Sequence, residues 1–200
     1  MKVKFTIGNK KLPKTTYILN VGTALDCPSE KLGLCDVAKE CYAKKAERIY
    51  PQVEPFRQHQ RRVFDDVDAE QIAQVLLDAS ERSRTKKMRS FRFSEAGDFA
   101  TQADVDKMAD VCEVLSNHGI KCYGYTCRTD LDLSGLMMHA QVNLSNDYER
   151  SDEYLKRGAN RFKVVDEFSD DPKAVPCRAD CNVCSFCATM SGKLIEVIKH

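Results

Sequence analysis

Long apolar runs are missing from this chain. None reaches the roughly 18–20 residues that a transmembrane helix needs, so no spanning segment is expected. The opening stretch MKVKFTIGNKKLPK carries lysines with no apolar block behind them, which argues against a secretory signal. The expected compartment is therefore the cytoplasm. An excess of one charge is missing too: 31 Lys and Arg face 30 Asp and Glu, for a formal net charge of +1. That balance argues against a general binder of nucleic acid or membrane surfaces. No Gly-rich phosphate loop occurs, so no nucleotide cofactor is implied. Internal repeats and low-complexity tracts are absent as well.

The remaining composition is that of an ordinary globular protein, with 42% hydrophobic and 30% charged residues in 200. A chain of this length buries about 70% of its unfolded surface and needs no covalent staples. It fits one domain, or one domain with a small appended lobe.

What the chain has in quantity is cysteine, ten in all. In a reducing compartment clustered thiols read as metal or redox sites before they read as disulfides. The densest group is Cys177, Cys181, Cys184 and Cys187, in PCRADCNVCSFC (176–187). Its spacing, C-x3-C-x2-C-x2-C, mirrors the bacterial ferredoxin run, with Pro176 before the first Cys instead of after the last. Four thiolates complete a tetrahedral zinc or the corners of an iron–sulfur cluster. Zinc sites more often use two Cys pairs with a long spacer between them. The lack of a spacer favours iron–sulfur, with zinc as the alternative. The contained C-x3-C-x2-C is also the spacing of radical S-adenosylmethionine enzymes. It carries little weight here, at the far end of the chain and with a fourth Cys to close the site.

A second group, Cys27, Cys35 and Cys41, follows the predicted strand TTYILNV (15–21) directly. Radical enzymes place their cluster in the loop after an early strand. Cys41 would project from the first turn of a helix, where the partial positive charge suits an anionic cluster. Cys127 ends the predicted strand IKCYGYTC (120–127) and is a candidate fourth ligand. Cys112 is in phase with Val105, Met108 and Leu115 on a helix and reads as core, as does Cys122.

Elements are legible along most of the chain. Strands are predicted at KVKFTI (2–7), TTYILNV, SFRF (90–93), IKCYGYTC, HAQVNLS (139–145) and NRFKVVDEF (160–168). Helices are predicted over 51–67, 69–83 and 101–119. Asp68 is the expected cap of the second, Thr101 and Asp104 open the third, and Gly119 stops it. The alternation predicts an α/β fold with a mainly parallel sheet and flanking helices, an incomplete (β/α) barrel of the radical-enzyme kind. Residues 1–175 form this domain. SDDPKAVP (169–176) reads as a linker to a four-Cys tail, 176–200, packed on the same domain.

In parallel sheets function collects at the carboxyl ends of strands. Glu95 and Asp98, Thr126 and Arg128, and Asn143 and Ser145 all fall at such ends, as does the first Cys group. A cluster at that mouth is expected beside Asp98, Tyr125 and Arg128, the catalytic candidates. The basic runs RQHQRR (57–62) and RSRTKKMR (82–89) are offset by acidic ones and read as solvated faces, which makes nucleic-acid binding the weaker reading.

Cys27-Pro28, Cys35, CYAKK (41–45), RFSEAGDF (92–99), YTCR (125–128) and CRADCNVCSFC (177–187), taken in order, resemble the phage-associated gene product 88 domain family. The family pattern carries Ser before Gly-Asp-Phe, where this chain has Ala96. The family occurs in bacteriophages and bacteria; the resemblance implies a cysteine-rich, metal-binding α/β domain and no particular reaction, and the cytoplasm would be the host cell's if the protein is phage-encoded.

The expected function is an iron–sulfur protein holding one or two [4Fe–4S] clusters. Cys27, Cys35, Cys41 and Cys127 would bind at the mouth, and Cys177, Cys181, Cys184 and Cys187 in the tail. Its role would be redox, electron-transfer or radical-like, with a redox partner or small-molecule substrate and no membrane. The alternative is a zinc-stabilised module for nucleic acid or protein, with purely structural metal.

Overall fold

The computed structural model describes residues 2–145, 151–189 and 191–199. Eight strands form one sheet. They are β1 (Thr6–Ile7), β2 (Thr16–Leu19), β3 (Ser90–Phe93), β4 (Lys121–Thr126), β5 (Ala140–Leu144), β6 (Asn160–Val165), β7 (Ala174–Pro176) and β8 (Leu194–Ile198), in the order β1-β2-β3-β4-β5-β6-β8-β7. β1 pairs antiparallel with β2, and every other pairing is parallel. The unbroken run from β2 to β6 is the strand order of a (β/α) barrel. Among the described residues the sheet does not close: β1 and β7 each pair on one side only. The architecture is thus an open, mostly parallel α/β sheet flanked by helices, and its strand order alone suggests a barrel.

The helices are α1 (Pro28–Lys31), α2 (Tyr42–Ile49), α3 (Val53–Asp66), α4 (Ala69–Arg82), α5 (Gln102–Asn117), α6 (Ser134–His139), α7 (Ser151–Lys156) and α8 (Phe186–Thr189). Helix α5 starts as its sequence predicts, with the Thr101 hydroxyl accepting from the Asp104 N–H at 3.4 Å. It stops at Gly119, whose φ is +75°. Asp68 stands at the N-cap of α4 but makes no side-chain cap bond.

Alternation along the strands sorts the side chains onto two faces. Phe91, Phe93, Cys122, Val142 and Leu144 join Val63, Phe64, Ile72, Leu76, Val105, Met108, Cys112 and Leu115 in one core beneath α3, α4 and α5. The two cysteines read as core belong to it. Their strand neighbours Arg92, Tyr123, Tyr125 and Asn143 point the other way, and α8 packs against that face of β4 and β5.

The C-terminal region is more integrated than a linker and tail. Ala174–Pro176 is a strand and β8 inserts between β6 and β7. A three-residue edge strand among Asp, Lys and Pro has no periodicity from which to be read. Among the described residues, no helix is long and apolar enough to cross a membrane.

Candidate functional site

The first cysteine group is assembled by three chain crossings at the carboxyl end of the sheet. Cys27 is the N-cap of α1, whose first residue is Pro28. Cys41 is the N-cap of α2, one position before the first turn. Cys27, Cys35 and Cys41 line one cavity of about 70 Å³ with Ala24, Ala96 and Tyr42. Cys127, one residue past β4, places its thiol in hydrogen-bond contact with that of Cys35. That bond is the main reason the Cys35 thiol is brought down to about 7, with burial acting against it. The same bond, with burial, pushes Cys127 up. Burial, then the charge of Asp98, pushes Cys27 up to about 12.

Two buried carboxylates hold this geometry. Asp98 is 4% exposed. Its Oδ2 accepts from the Ser29 hydroxyl at 2.6 Å and the Cys127 N–H at 2.8 Å. Its Oδ1 accepts from the Thr126 hydroxyl at 2.7 Å and the Phe99 N–H at 2.9 Å. One side chain therefore ties the Cys27 segment to the Cys127 segment. Burial raises the Asp98 pKa, and the four donors oppose the rise. Glu47 on α2 accepts from the Ala24 N–H at 2.8 Å and the Leu25 N–H at 2.9 Å, fixing the approach to Cys27. Its charge is matched by the buried Arg57 guanidinium at 2.8 Å. Gly97 brings the loops together: at φ +71°, a Cβ there would lie 2.6 Å from the Gly22 carbonyl carbon.

The second group lies on the sheet face opposite the helix layer. The Cys177 N–H donates to the Glu196 carbonyl of β8 at 2.7 Å. Ala179 turns the chain at φ +55°. The Asp180 carbonyl accepts from the Cys184 N–H at 3.2 Å. α8 then carries Cys187, whose carbonyl accepts from the Asn143 side chain at 2.9 Å. Asn143 also donates to the Gly124 carbonyl at 2.9 Å and accepts from Asn160 at 3.0 Å, so the tail is pinned to the middle of the sheet. The Cys187 thiol is pushed up to about 11 by burial, and a hydrogen bond from Tyr125 works against the rise. Burial raises Cys181, and the Arg92 charge acts against it.

Of the three catalytic candidates, Asp98 belongs to the first group and Tyr125 to the second. Arg128 stands at neither. Its guanidinium pairs with both oxygens of Asp130 at 2.8 Å and donates to the Phe99 and Ala100 carbonyls, bracing the lead into α5. The expected trio around one centre is therefore distributed over three environments, although all three stand at the carboxyl end of β3 and β4.

Sequence reasoning missed the residues between the groups. Arg92 on β3 lies with its guanidinium carbon 4.8 Å above the Tyr125 ring. It donates to the Tyr42 hydroxyl at 3.3 Å. Tyr42 follows Cys41 and donates to the Glu95 carbonyl at 2.9 Å. The available signal was a charge between Phe91 and Phe93 in a strand paired on both sides, where apolar runs are the rule.

Among the described residues, no group of three His, Cys, Asp or Glu side chains is already placed to hold a single metal ion. The donor types nonetheless suit a soft, thiolate-bound centre: three thiols line one small cavity, Cys127 meets one of them, and four more stand within eleven tail residues. The chain matches no curated protein and no solved structure. The family model described as Gene product 88 matches residues 2–191, nearly the whole chain, and takes in both cysteine groups, so this protein belongs to the Gene product 88 family.

Proposed function

We propose that the protein is an electron-transfer protein with two iron–sulfur centres, each of the [4Fe–4S] type. Cys27, Cys35, Cys41 and Cys127 would hold one, and Cys177, Cys181, Cys184 and Cys187 the other. The observation that carries this reading is the meeting of Cys127 with Cys35 across 92 residues of chain, beside a cavity that Cys27 and Cys41 also line. Eight thiols then stand in two groups of four, and the two core cysteines are set apart.

A [4Fe–4S] cluster supplies one-electron transfer when bound. The chain's own part is to hold the thiols and keep water from them. The charged groups Lys44 and Glu95 at the rim of the first group already have partners. Lys44 forms an ion pair with Glu30, and Glu95 accepts from Asn9 at 2.6 Å. Asp98 and Arg128 are equally committed, each to several partners. With four thiols at the first group and no uncommitted acid or base among these residues, electron transfer fits better than substrate chemistry. The reducing host cytoplasm is the compartment in which such thiols stay available.

Anaerobic purification followed by metal and sulfide analysis tests this. The expected result is brown protein with about eight irons and eight sulfides, following from two [4Fe–4S] centres. Cys35→Ser and Cys184→Ser should each remove about half, and Cys112→Ala none. Colourless protein carrying zinc would overturn the cluster reading and leave the thiols as a structural clasp for a binding module. Iron unchanged in Cys35→Ser would overturn the first centre.

A further inference from the structure

The two basic runs of the sequence meet different fates in the fold. In RQHQRR (57–62) two of the cations are spent internally. Arg57 pairs with the buried Glu47 at 2.8 Å, and Arg61 pairs with Asp104 at 2.8 Å and with Asp65. In RSRTKKMR (82–89), Arg82, Arg84, Lys86, Lys87 and Arg89 are all exposed. Among the described residues, Arg82 alone of these five pairs with a carboxylate, Asp78 at 3.9 Å.

The loop that carries them is held in place. Met88 is buried, and its N–H donates to the Ser80 hydroxyl at 2.8 Å. The Lys86 N–H donates to the Ser83 hydroxyl at 2.9 Å, and the Lys86 carbonyl accepts from the Tyr17 hydroxyl at 3.0 Å. The backbone is thereby fixed while the charged ends stay in solvent.

Strand register adds to the charge. Thr16, Ser90 and Lys121 open β2, β3 and β4 side by side. The Thr15 carbonyl accepts from the Arg89 N–H at 2.8 Å, and the Arg89 carbonyl accepts from the Lys121 N–H at 3.2 Å. Lys14, Arg89 and Lys121, all exposed, therefore stand at the entries to three adjoining strands, whose backbones lie about 5 Å apart. With the rest of the loop, seven cations gather at the amino end of the sheet. The carboxylates in the last two turns of α4 and α5, which lead to this end, are Asp78, Glu81 and Glu113. A net charge of +1 over the whole chain thus conceals a strong local excess.

A fixed cationic surface fits a polyanion, and its other side chains narrow the class. The loop holds no aromatic residue, so it offers no ring for unpaired bases to stack on. Its one large apolar side chain, Met88, is buried, so it offers nothing to insert into a bilayer. What remains is positive charge spread over a loop and three strand entries, which meets phosphates along a duplex without reading bases. We propose that the amino end of the sheet is a sequence-independent binding surface for duplex DNA, with Lys14, Arg84, Lys86, Lys87, Arg89 and Lys121 on backbone phosphates. It stands at the opposite end of the strands from the first cysteine group, so it does not depend on which metal the thiols hold.

The test is fluorescence anisotropy of a labelled DNA duplex of mixed sequence, titrated with the full chain at about 50 to 200 mM salt. The logarithm of the binding constant should fall linearly with the logarithm of salt concentration, with a slope of about −4 to −5, the value for about five phosphate contacts. Arg84→Gln, Lys86→Gln and Lys87→Gln combined should cut the slope by about 3 and the affinity at about 100 mM salt by roughly a hundredfold. Lys121→Glu, on a different element, should weaken binding as well, and it serves in place of the triple variant if circular dichroism shows that variant unfolded. Removing three exposed cations elsewhere, with Lys39→Gln, Lys45→Gln and Arg62→Gln combined, should leave slope and affinity nearly unchanged.

No binding at the lowest salt overturns the proposal, and so do equal losses in the two triple variants. Tighter binding of single-stranded DNA, duplex RNA, poly-glutamate or phosphatidylserine vesicles by the same residues also overturns it, because the surface would then belong to that partner.

Discussion

Replacing Asp98 by Asn tests whether one carboxylate holds the first cysteine group together. The side chain accepts four hydrogen bonds, two on each oxygen, at 2.6–2.9 Å. An amide keeps one oxygen and turns the other acceptor into a donor. If the nitrogen takes the Oδ2 place, the Ser29 hydroxyl can rotate to accept, but the Cys127 N–H is left facing another donor. If it takes the Oδ1 place, Thr126 can rotate and the Phe99 N–H is stranded. Either way one bond to a charged acceptor is lost, about 1.5–3 kcal/mol, and one buried N–H is orphaned, about 1–3 kcal/mol. Removing the charge from a buried site returns part of this. The net expected loss is about 3 kcal/mol, or a fall in Tm of roughly 6–12 °C for a chain of this size. Thermal unfolding followed by circular dichroism measures it, and alkylation of Cys127 should quicken in parallel. Ser29→Ala alone should cost about 1 kcal/mol. Its effect should shrink in the Asp98→Asn background, because the two side chains share one bond. A Tm within about 2 °C of wild type for Asp98→Asn, below 1 kcal/mol on the same scale, would refute the claim that this carboxylate joins the Cys27 and Cys127 segments.

Three further outcomes follow from the same geometry. Gly97→Ala should destabilise by more than about 2 kcal/mol, because φ is +71° and the new Cβ would meet the Gly22 backbone at 2.6 Å; denaturant unfolding measures the loss, and a neutral result would mean the loops separate freely. Glu47→Gln should cost about 3–5 kcal/mol by leaving Arg57 as an uncompensated buried charge, seen as a drop in urea midpoint, whereas Glu47→Gln with Arg57→Met should recover part of it. Asp104 is desolvated, but bonds from Arg61 and from the Ala100 and Thr101 N–H groups bring its pKa below the usual carboxylate value. Its contribution is therefore complete above the unfolded carboxylate value near 4 and fades as pH falls through the lowered one. Asp104→Asn should cost about 2 kcal/mol at pH 7 and close to nothing in strong acid, as read from urea unfolding at a series of pH values; a constant difference would refute it.

The parallel sheet could be read because its central strands are dense in Val, Ile, Tyr and Phe and are separated by helices with clear caps. Cys112 and Cys122 could be read as core from helical phase and strand alternation. The short elements could not. β7 is three residues in a charged, Pro-containing stretch, and its partner β8 comes after it in the chain, so no local pattern announces the pairing. The convergence of Cys127 with Cys35 depends on Asp98 drawing two loops together, a long-range fact that spacing does not encode.

The placing of Tyr125 and Arg128 around one centre is a different matter, because period-two geometry already spoke against it. Residues in a strand alternate faces, so Tyr125 and Thr126 must point apart. Thr126 goes to Asp98, and Tyr125 goes to the tail side. The same rule applied to SFRF sends Arg92 away from Phe91 and Phe93, onto a face that also carries Tyr123, Tyr125, Asn143 and Asn160. That face has too many polar groups to pack against a second apolar helix layer. It needs a cover that offers hydrogen bonds, and a cysteine-rich loop with Cys187 bonded to Asn143 and Tyr125 is such a cover. The strand face and the tail that covers it are far apart in the chain and meet only once the sheet has formed.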